Sequence, residues 1–418
     1  MLLIHIFGIF RQRLSATMNH TTLFFITAEF PYGTGETFIE NEISFLAKSF
    51  DQIIIVPLTK SSKEHRPVPP NVLIEPFQTA RVHWQKVFRT IFNEPEVRQE
   101  FLRNAASNPL KNKILLKSVQ RGLDISTHLK ESAKRHQSRT KFYYSYWLDD
   151  GAIGIALLDC GGVKVSRAHR WDIYTENHLY HYLPLRRFLT QRLSQIACIS
   201  QDGKMYLEKR AGQPNKISLS RLGVINRQSF SRREFSGQDL NVISISYLIP
   251  RKRVELIGES IAHINSQHIH WDHFGDGPLL DRVKRLFPFG NFHGHIGNDR
   301  LTEVLSDLSS NSLLINTSTS EGIPVSMMEA MSFGIPCIGT NVGGVSEIIK
   351  DNYNGFLMPA DPSPQVVSEY INRYFNSTAK EKECFRLNAY ETWRENFDAE
   401  KNYKAFAAEL KALYRQCR

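Results

Sequence analysis

With 418 residues, 41% of them hydrophobic and 11% aromatic, the chain is too long for one hydrophobic core and apolar enough to fill two. Its formal charge of +10 is uneven: Arg81 to Lys141 holds 14 Lys and Arg against 5 Asp and Glu. Five cysteines, an odd number without paired spacing, speak against a disulfide scaffold and fit a reducing cytosol.

The opening run Leu2 to Phe10 is apolar but far shorter than a membrane span, and Arg11, Arg13 and Leu14 after it make no convincing cleavage site. Residues 1–20 are read as an N-terminal extension, either upstream of the functional protein or a weak interfacial anchor. Thr22 to Thr27 is a continuous apolar run, as in a parallel strand covered on both faces. Phe38 to Phe50 then carries Phe38, Ile39, Ile43, Leu46 and Ala47 at helical spacing, and Gln52 to Pro57 predicts the next strand. Strand, helix, strand in this order is a crossover unit of a doubly wound sheet.

The basic block follows, and it includes Trp84, Phe88, Ile91, Phe92, Phe101 and Leu102, which predicts amphipathic helices with a basic face. Anionic lipid, nucleic acid, an acidic substrate and a plain solvated surface all suit its charge. An anionic membrane surface is the favoured partner, and nucleic acid is not expected.

Strands are predicted at Lys141 to Trp147, Val163 to Arg167 and Ile196 to Ser200, completing a first α/β domain over residues 21–223. Asn226 to Asp239 is polar and turn-prone, the best linker in the chain. The alternation then restarts, with strands at Asn241 to Tyr247, His270 to Gly275, Asn291 to Gly294, Leu313 to Thr317, Pro336 to Gly339 and Gly355 to Met358. Helices are predicted at Val254 to Ile264 and Leu279 to Leu286. A second doubly wound, Rossmann-like domain over residues 224–395 is implied, with residues 396–418 as a C-terminal helical stretch. Two such domains are expected to face each other across a cleft, with strand ends and helix N-termini toward an anionic ligand.

Within Leu313 to Thr340 the order is strand, loop, helix, strand, with Pro324 expected in the first helical turn and Gly334 at the helix end. Glu321 then lies at the loop tip and Glu329 about one and a half turns into the helix. Backbone N–H groups near Ile323 to Ser326 are left over by the helix and suit a diphosphate. Carboxylates beside such a site are good acceptors for vicinal hydroxyls, as in a sugar nucleotide. The plain alternative makes Glu321 a capping acid and Glu329 a solvent-facing helix residue.

Ser318 to Gly344 resembles the signature of the family-4 retaining glycosyltransferases, in which two glutamates are separated by seven residues, here Glu321 and Glu329. The turn Asn341 to Gly344 and Glu347 beyond it extend the likeness. Phe30 to Glu36, with Gly35, looks like the family's glycine-bearing loop, and Ser166 to Asp172 is similar to the segment that places a histidine, here His169, near the reacting sugar. Ile249 to Val254 matches a loop whose lysine, here Lys252, contacts the donor phosphates; the usual arginine six residues earlier is replaced by Ser246. Phosphate contacts then fall to Lys252, to Arg251 or Arg253 and to the helix N-terminus. Gly275 to Pro278 and Phe292 to Asn298 resemble architectural turns of the same family.

The resemblance implies a GT-B architecture, a nucleoside-diphosphate-sugar donor and a glycan or lipid-linked acceptor of cell-surface glycan assembly. It also implies a location in the cytoplasm, peripheral on the inner face of the membrane. Glu321, His169 and Lys252 would be catalytic. Gly35, Ser246, Arg251, Lys252, Gly322, Ile323, Pro324, Val325 and Glu329 would bind donor, with Glu329 on the ribose and Glu321 on the sugar. The terminal stretch Glu400 to Tyr414 would pack back on the first domain. The alternatives are a sugar-nucleotide-binding protein without turnover and a sugar-nucleotide epimerase of the same architecture.

No metal and no cofactor are expected. His268, His270, His273, His293 and His295 lack an acidic or cysteine partner at a recognised spacing, and Asp149-Asp150 is a plain pair beside Gly151.

Overall fold

A computed structural model of the chain describes residues 20–33, 35–80, 82–136, 138–226, 228, 230, 239–308 and 311–416. The extension Leu2 to Phe10, most of the linker Asn226 to Asp239, Arg81 and Cys417 lie outside the described residues. The chain divides into two compact units, residues 1–220 with 403–418, and residues 221–402.

Unit 1 holds strands β1 (Thr21–Thr27), β2 (Gln52–Pro57), β3 (Val72–Ile74), β4 (Thr140–Ser145), β5 (Val163–Ala168), β6 (Gln195–Cys198) and β7 (Ile217–Leu219). They pair in the order β3-β2-β1-β4-β5-β6-β7, every pair parallel. The helices are α1 (Ile39–Ser49), α2 (Trp84–Asn93), α3 (Pro95–Ser107), α4 (Leu110–Arg135), α5 (Asp150–Leu157), α6 (Arg170–Ile173), α7 (Arg186–Arg192) and α8 (Gln201–Glu208). Alternation along β1 feeds two layers: Phe24 and Ile26 enter the core under α4 and α5, while Leu23 and Phe25 enter the core under α1. The last helix of the chain, Ala399–Gln416, gives Phe406, Ala407 and Leu410 to that second layer. Strands β3 and β7 are edge strands of three residues each, too short to show a readable pattern in the sequence.

Unit 2 holds β8 (Leu240–Ile245), β9 (Ile269–Phe274), β10 (Asn291–Phe292), β11 (Ser312–Asn316), β12 (Cys337–Thr340) and β13 (Gly355–Met358). Their order is β10-β9-β8-β11-β12-β13, again all parallel. Its helices are α9 (Val254–Ile264), α10 (Leu280–Leu286), α11 (Asn298–Leu308), α12 (Val325–Ser332), α13 (Val345–Ile348), α14 (Pro364–Phe375) and α15 (Ala379–Asn396); the terminal helix above is α16. The order reverses between β8 and β11, so the crossovers that follow these two neighbouring strands run in opposite directions along the sheet. Such a switch point leaves a crevice at the carboxyl ends of the strands, where doubly wound sheets hold ligands.

Among the described residues, no helix is long and apolar enough to cross a membrane. Cys198 and Cys337 are buried, Cys160 is half-buried, and Cys384 is exposed.

Candidate active site

The loops after β8 and β11 are tied together by short polar contacts. Thr317 Oγ1 donates to the carbonyls of Lys252 (3.1 Å) and Arg253 (2.9 Å), and Thr319 N–H donates to Arg251 O (2.9 Å). The turn after β12 clasps the same loop from the other side. Gly344 N–H donates to Gly322 O at 2.7 Å, and a Cβ on Gly343, at φ 51°, would lie 1.9 Å from Glu321 O. Only glycine permits both that conformation and that approach.

Held in this way, Glu321 is 7% exposed and accepts from Lys252 Nζ (2.5 Å), Ser318 Oγ (2.6 Å) and Asn316 Nδ2 (3.2 Å). Burial by itself would raise the carboxyl pKa, but the Lys252 ammonium and these hydrogen bonds outweigh it and hold the group below the usual range. Glu321 is therefore a carboxylate at neutral pH. Asn316 and Ser318, which position it, were not singled out from the sequence; their only signal is their place between a strand and the glutamate.

Helix α12 begins one residue later than expected. Pro324 precedes it with an extended ψ of 113°, and the helix starts at Val325. A proline suits that place because no N–H is lost where none would be bonded. The N–H groups of Gly322, Ile323, Val325 and Ser326 have no acceptor among the described residues. Met327, Met328, Ala330 and Met331 are buried and fix the helix against the sheet, and Gly334 ends it at φ 70°.

Glu329 sits just over one turn into α12 and is half-buried, not solvent-facing. Its carboxylate has no hydrogen-bond partner among the described residues, and burial pushes its pKa up to about 7. A half-buried carboxyl without a protein partner is open to donors from a ligand.

The three basic residues of the β8 loop divide their work. Lys252 meets Glu321, and Arg251 Nη1 donates to Ser320 O at 3.2 Å. Arg253 is consumed by structure: it donates to Thr317 O (2.6 Å), Ala360 O (2.8 Å) and Asp361 Oδ1 (2.6 Å), which removes it from the residues free to meet a phosphate. Ser246, half-buried at the end of β8, donates its N–H to Phe274 O at 3.0 Å, and its carbonyl would lie 1.9 Å from a Cβ on Gly275.

In unit 1 the glycine-bearing loop is closed by Glu36, which the sequence reading passed over. Its carboxylate accepts from the N–H groups of Ala28 (3.0 Å), Glu29 (2.8 Å) and Phe30 (2.7 Å) and from Trp147 Nε1 (2.6 Å). Gly35 gives its own N–H to Glu29 Oε1 at 2.8 Å, so that group serves the loop. His169 is buried between Tyr146 and Trp147, ring centroids 4.7 and 4.5 Å away, and its Nε2 has no partner. Burial, and then the nearby Arg167, hold its pKa well below that of a free histidine, so the ring is neutral.

Asp149-Asp150 is not a plain surface pair. Both line a cavity of about 150 Å³ with Trp171, Asp172, His178 and Arg186. Burial raises Asp149 to about 6, Asp150 adding to the effect, and raises Asp172 to about 7. Asp172 accepts from Leu148 N–H (2.7 Å) and His169 N–H (2.6 Å), fixing the start of α6.

The histidines of unit 2 find acidic partners that spacing did not reveal. His268 Nδ1 lies 2.8 Å from Asp239, and His293 Nε2 lies 2.6 Å from Asp272. His273 is buried against Ser244, and burial lowers its pKa to about 4. Among the described residues no group of three His, Cys, Asp or Glu side chains is placed to hold a metal ion.

Residues 226–392 match the model of the family described as glycosyl transferases group 1. The match falls within unit 2, and the fold is GT-B. Over 367 residues it is 26% identical to the putative colanic acid biosynthesis glycosyltransferase WcaL of Salmonella typhimurium, covering 80% of this chain and 86% of that one. Among solved structures, Anabaena HepE in complex with UDP and glucose superposes with a TM-score of 0.65 at 15% identity, over 94% of this chain and 100% of the other. Sucrose-phosphate synthase from Thermosynechococcus elongatus gives a TM-score of 0.68 at 14% identity, over 95% and 99% of the two chains. The matched family segment contains Lys252, Glu321, α12 and Glu329.

Proposed function

We propose that this chain is a glycosyltransferase that moves a sugar from a nucleoside diphosphate sugar to a hydroxyl of a glycan or lipid-linked acceptor in surface-polysaccharide assembly, with retention at the anomeric carbon. One observation carries it: the unpartnered N–H groups at the start of α12 stand beside the ionised Glu321–Lys252 pair and the unpartnered Glu329. Four donors on one helix start suit a diphosphate, and the helix dipole adds to them. Charge develops on the leaving phosphate as the glycosidic bond breaks, and groups already aimed there stabilise the transition state without reorganising.

Lys252 supplies the compact cation for that phosphate, with Arg251 near it. Glu321 cannot be a proton donor at neutral pH, and it serves as a hydroxyl acceptor on the sugar. Glu329 takes the vicinal hydroxyls of the ribose. No general base is placed among these residues. The acceptor proton goes to an oxygen of the departing diphosphate on the same face, so no covalent glycosyl intermediate is needed. Support for a surface-polysaccharide acceptor comes from the WcaL likeness, and HepE, solved with UDP and glucose, supports a nucleotide-sugar donor.

The test is a panel of sugar nucleotides given to the purified protein with and without a membrane extract as acceptor source, with nucleotide diphosphate release as the readout. Acceptor-dependent release is expected, with the anomeric configuration of the product read by NMR. Glu321→Ala should lower the rate by about a hundredfold or more. Tight binding of donors without release from any of them would leave a non-catalytic binding protein, for which Ser246 in place of the usual arginine is the one specific argument.

A further inference from the structure

Helix α2 is apolar on two adjacent faces. Val87 and Ile91, four residues apart, are buried in the core of unit 1. Trp84, Phe88 and Phe92, also four apart, form a second stripe that unit 1 leaves open, 47%, 45% and 59% exposed. Trp84 and Phe88 pack ring against ring, with centroids 6.4 Å apart. At 1.5 Å per residue the stripe runs for about 12 Å along the helix. On α3, which packs against α2, Leu102 is 62% exposed.

The charges around this stripe are almost all of one sign. Lys86 and Arg89 on α2 and Arg98 and Arg103 on α3 are exposed, and Arg98 Nη1 donates to Phe92 O at the end of the stripe. Of the acids beside these cations, Glu96 stays half-buried without a partner among the described residues and two are paired elsewhere. Glu94 pairs with Arg192, and Glu100 accepts from the Tyr182 hydroxyl and the Leu185 N–H (2.9 Å). What remains outward is an aromatic stripe with a cationic border.

We propose that α2 and α3 dock this chain on the surface of an anionic lipid bilayer, with Trp84, Phe88 and Phe92 entering the headgroup region and Lys86, Arg89, Arg98 and Arg103 meeting lipid phosphates. Charge complementarity selects this occupant. Aromatic rings favour the boundary between headgroup and acyl chain, and each cation near an anionic surface strengthens binding by about fivefold. A protein partner would meet four long, unpaired cations, and nucleic acid would leave Leu102 without a role. The inference does not depend on the donor chemistry, because it concerns other residues and is read without any sugar.

Full-length protein is mixed with vesicles of phosphatidylcholine alone and with vesicles in which about a third of the lipid is phosphatidylglycerol, then sedimented. Binding is expected to the anionic vesicles, weakening as salt rises. A triple change of Trp84→Ser, Phe88→Ser and Phe92→Ser should weaken it at least tenfold, as should Lys86→Glu with Arg89→Glu. All five positions are exposed, so circular dichroism should match the parent; if the triple variant misfolds, the charge-reversal pair alone decides. Absence of binding to anionic vesicles, equal binding to both vesicle types, or binding that both variants retain would overturn the proposal. So would a salt-sensitive complex with single-stranded RNA that vesicles do not displace, or a dimer in solution that the triple variant abolishes.

Discussion

The two units end their central strands in opposite ways. At the strand ends of unit 1 most charges are already satisfied by the protein: Glu36 takes four donors, Asp172 takes two N–H groups, and Arg167 meets Glu42, Tyr144 and Ser220. At the switch point of unit 2 the helix N–H groups and Glu329 lack partners, while Lys252 and Glu321 hold each other in a solvent-reaching pair. A carboxylate or cation at the end of a strand is therefore no guide to binding until its partners are counted. Groups left unpartnered at depth are the ones with free energy to gain from a ligand.

The sharpest challenge to this contrast is Arg167→Met. Arg167 and Glu42 are both fully buried and 2.9 Å apart, so removing the cation leaves a buried acid whose remaining donor is the Tyr144 hydroxyl. A loss of about 3–5 kcal/mol in denaturant unfolding is expected, with much of it recovered by Glu42→Leu in the same chain. A mild effect of the single change would mean that the pair is not a structural element of unit 1. Glu36→Ala should cost less, about 2 kcal/mol, because water can reach some of the four donors it strands. Calorimetry would read this as a lower melting temperature, and an unchanged melt would put Glu36 among the ligand-binding groups instead.

The smallest expected effect is also the most specific to unit 2. Glu329 is pushed up to about 7, so near pH 6 it mostly holds a proton and offers fewer lone pairs to the ribose hydroxyls we propose it binds. Donor affinity should rise as pH rises from about 6 to about 8 and then level, by about tenfold in all, because binding favours the ionised form and releases a proton. Titration calorimetry with the nucleoside diphosphate would show the slope, and Glu329→Gln should flatten it. A slope that survives the change would assign the proton to another group.

The long elements of both units were legible in the residues. Gln52–Pro57, Val254–Ile264 and Gly355–Met358 have the bounds that apolar runs and helical spacing suggest. Two glutamates separated by seven residues marked the segment in which the structure leaves backbone N–H groups without acceptors among the described residues. Edge strands β3 and β7 escaped notice because three residues carry no period, and Pro324 lies outside its helix because the bonding of the turn, not the proline, sets where α12 starts.

The roles within the site were a different matter. Nothing local to Arg251, Lys252 and Arg253 tells which of three adjacent cations is free, and Arg253 is lost to the carbonyls and the aspartate of distant loops. Nothing local to Glu321 and Glu329 tells that one is held ionised by a lysine 69 residues away while the other, without a partner, protonates near neutrality. Element type follows from spacing along a few turns of chain, so the sequence determined the two doubly wound units and the family motif. Protonation and availability depend on which groups meet at a strand end, and only the reversal of strand order between β8 and β11 decided that.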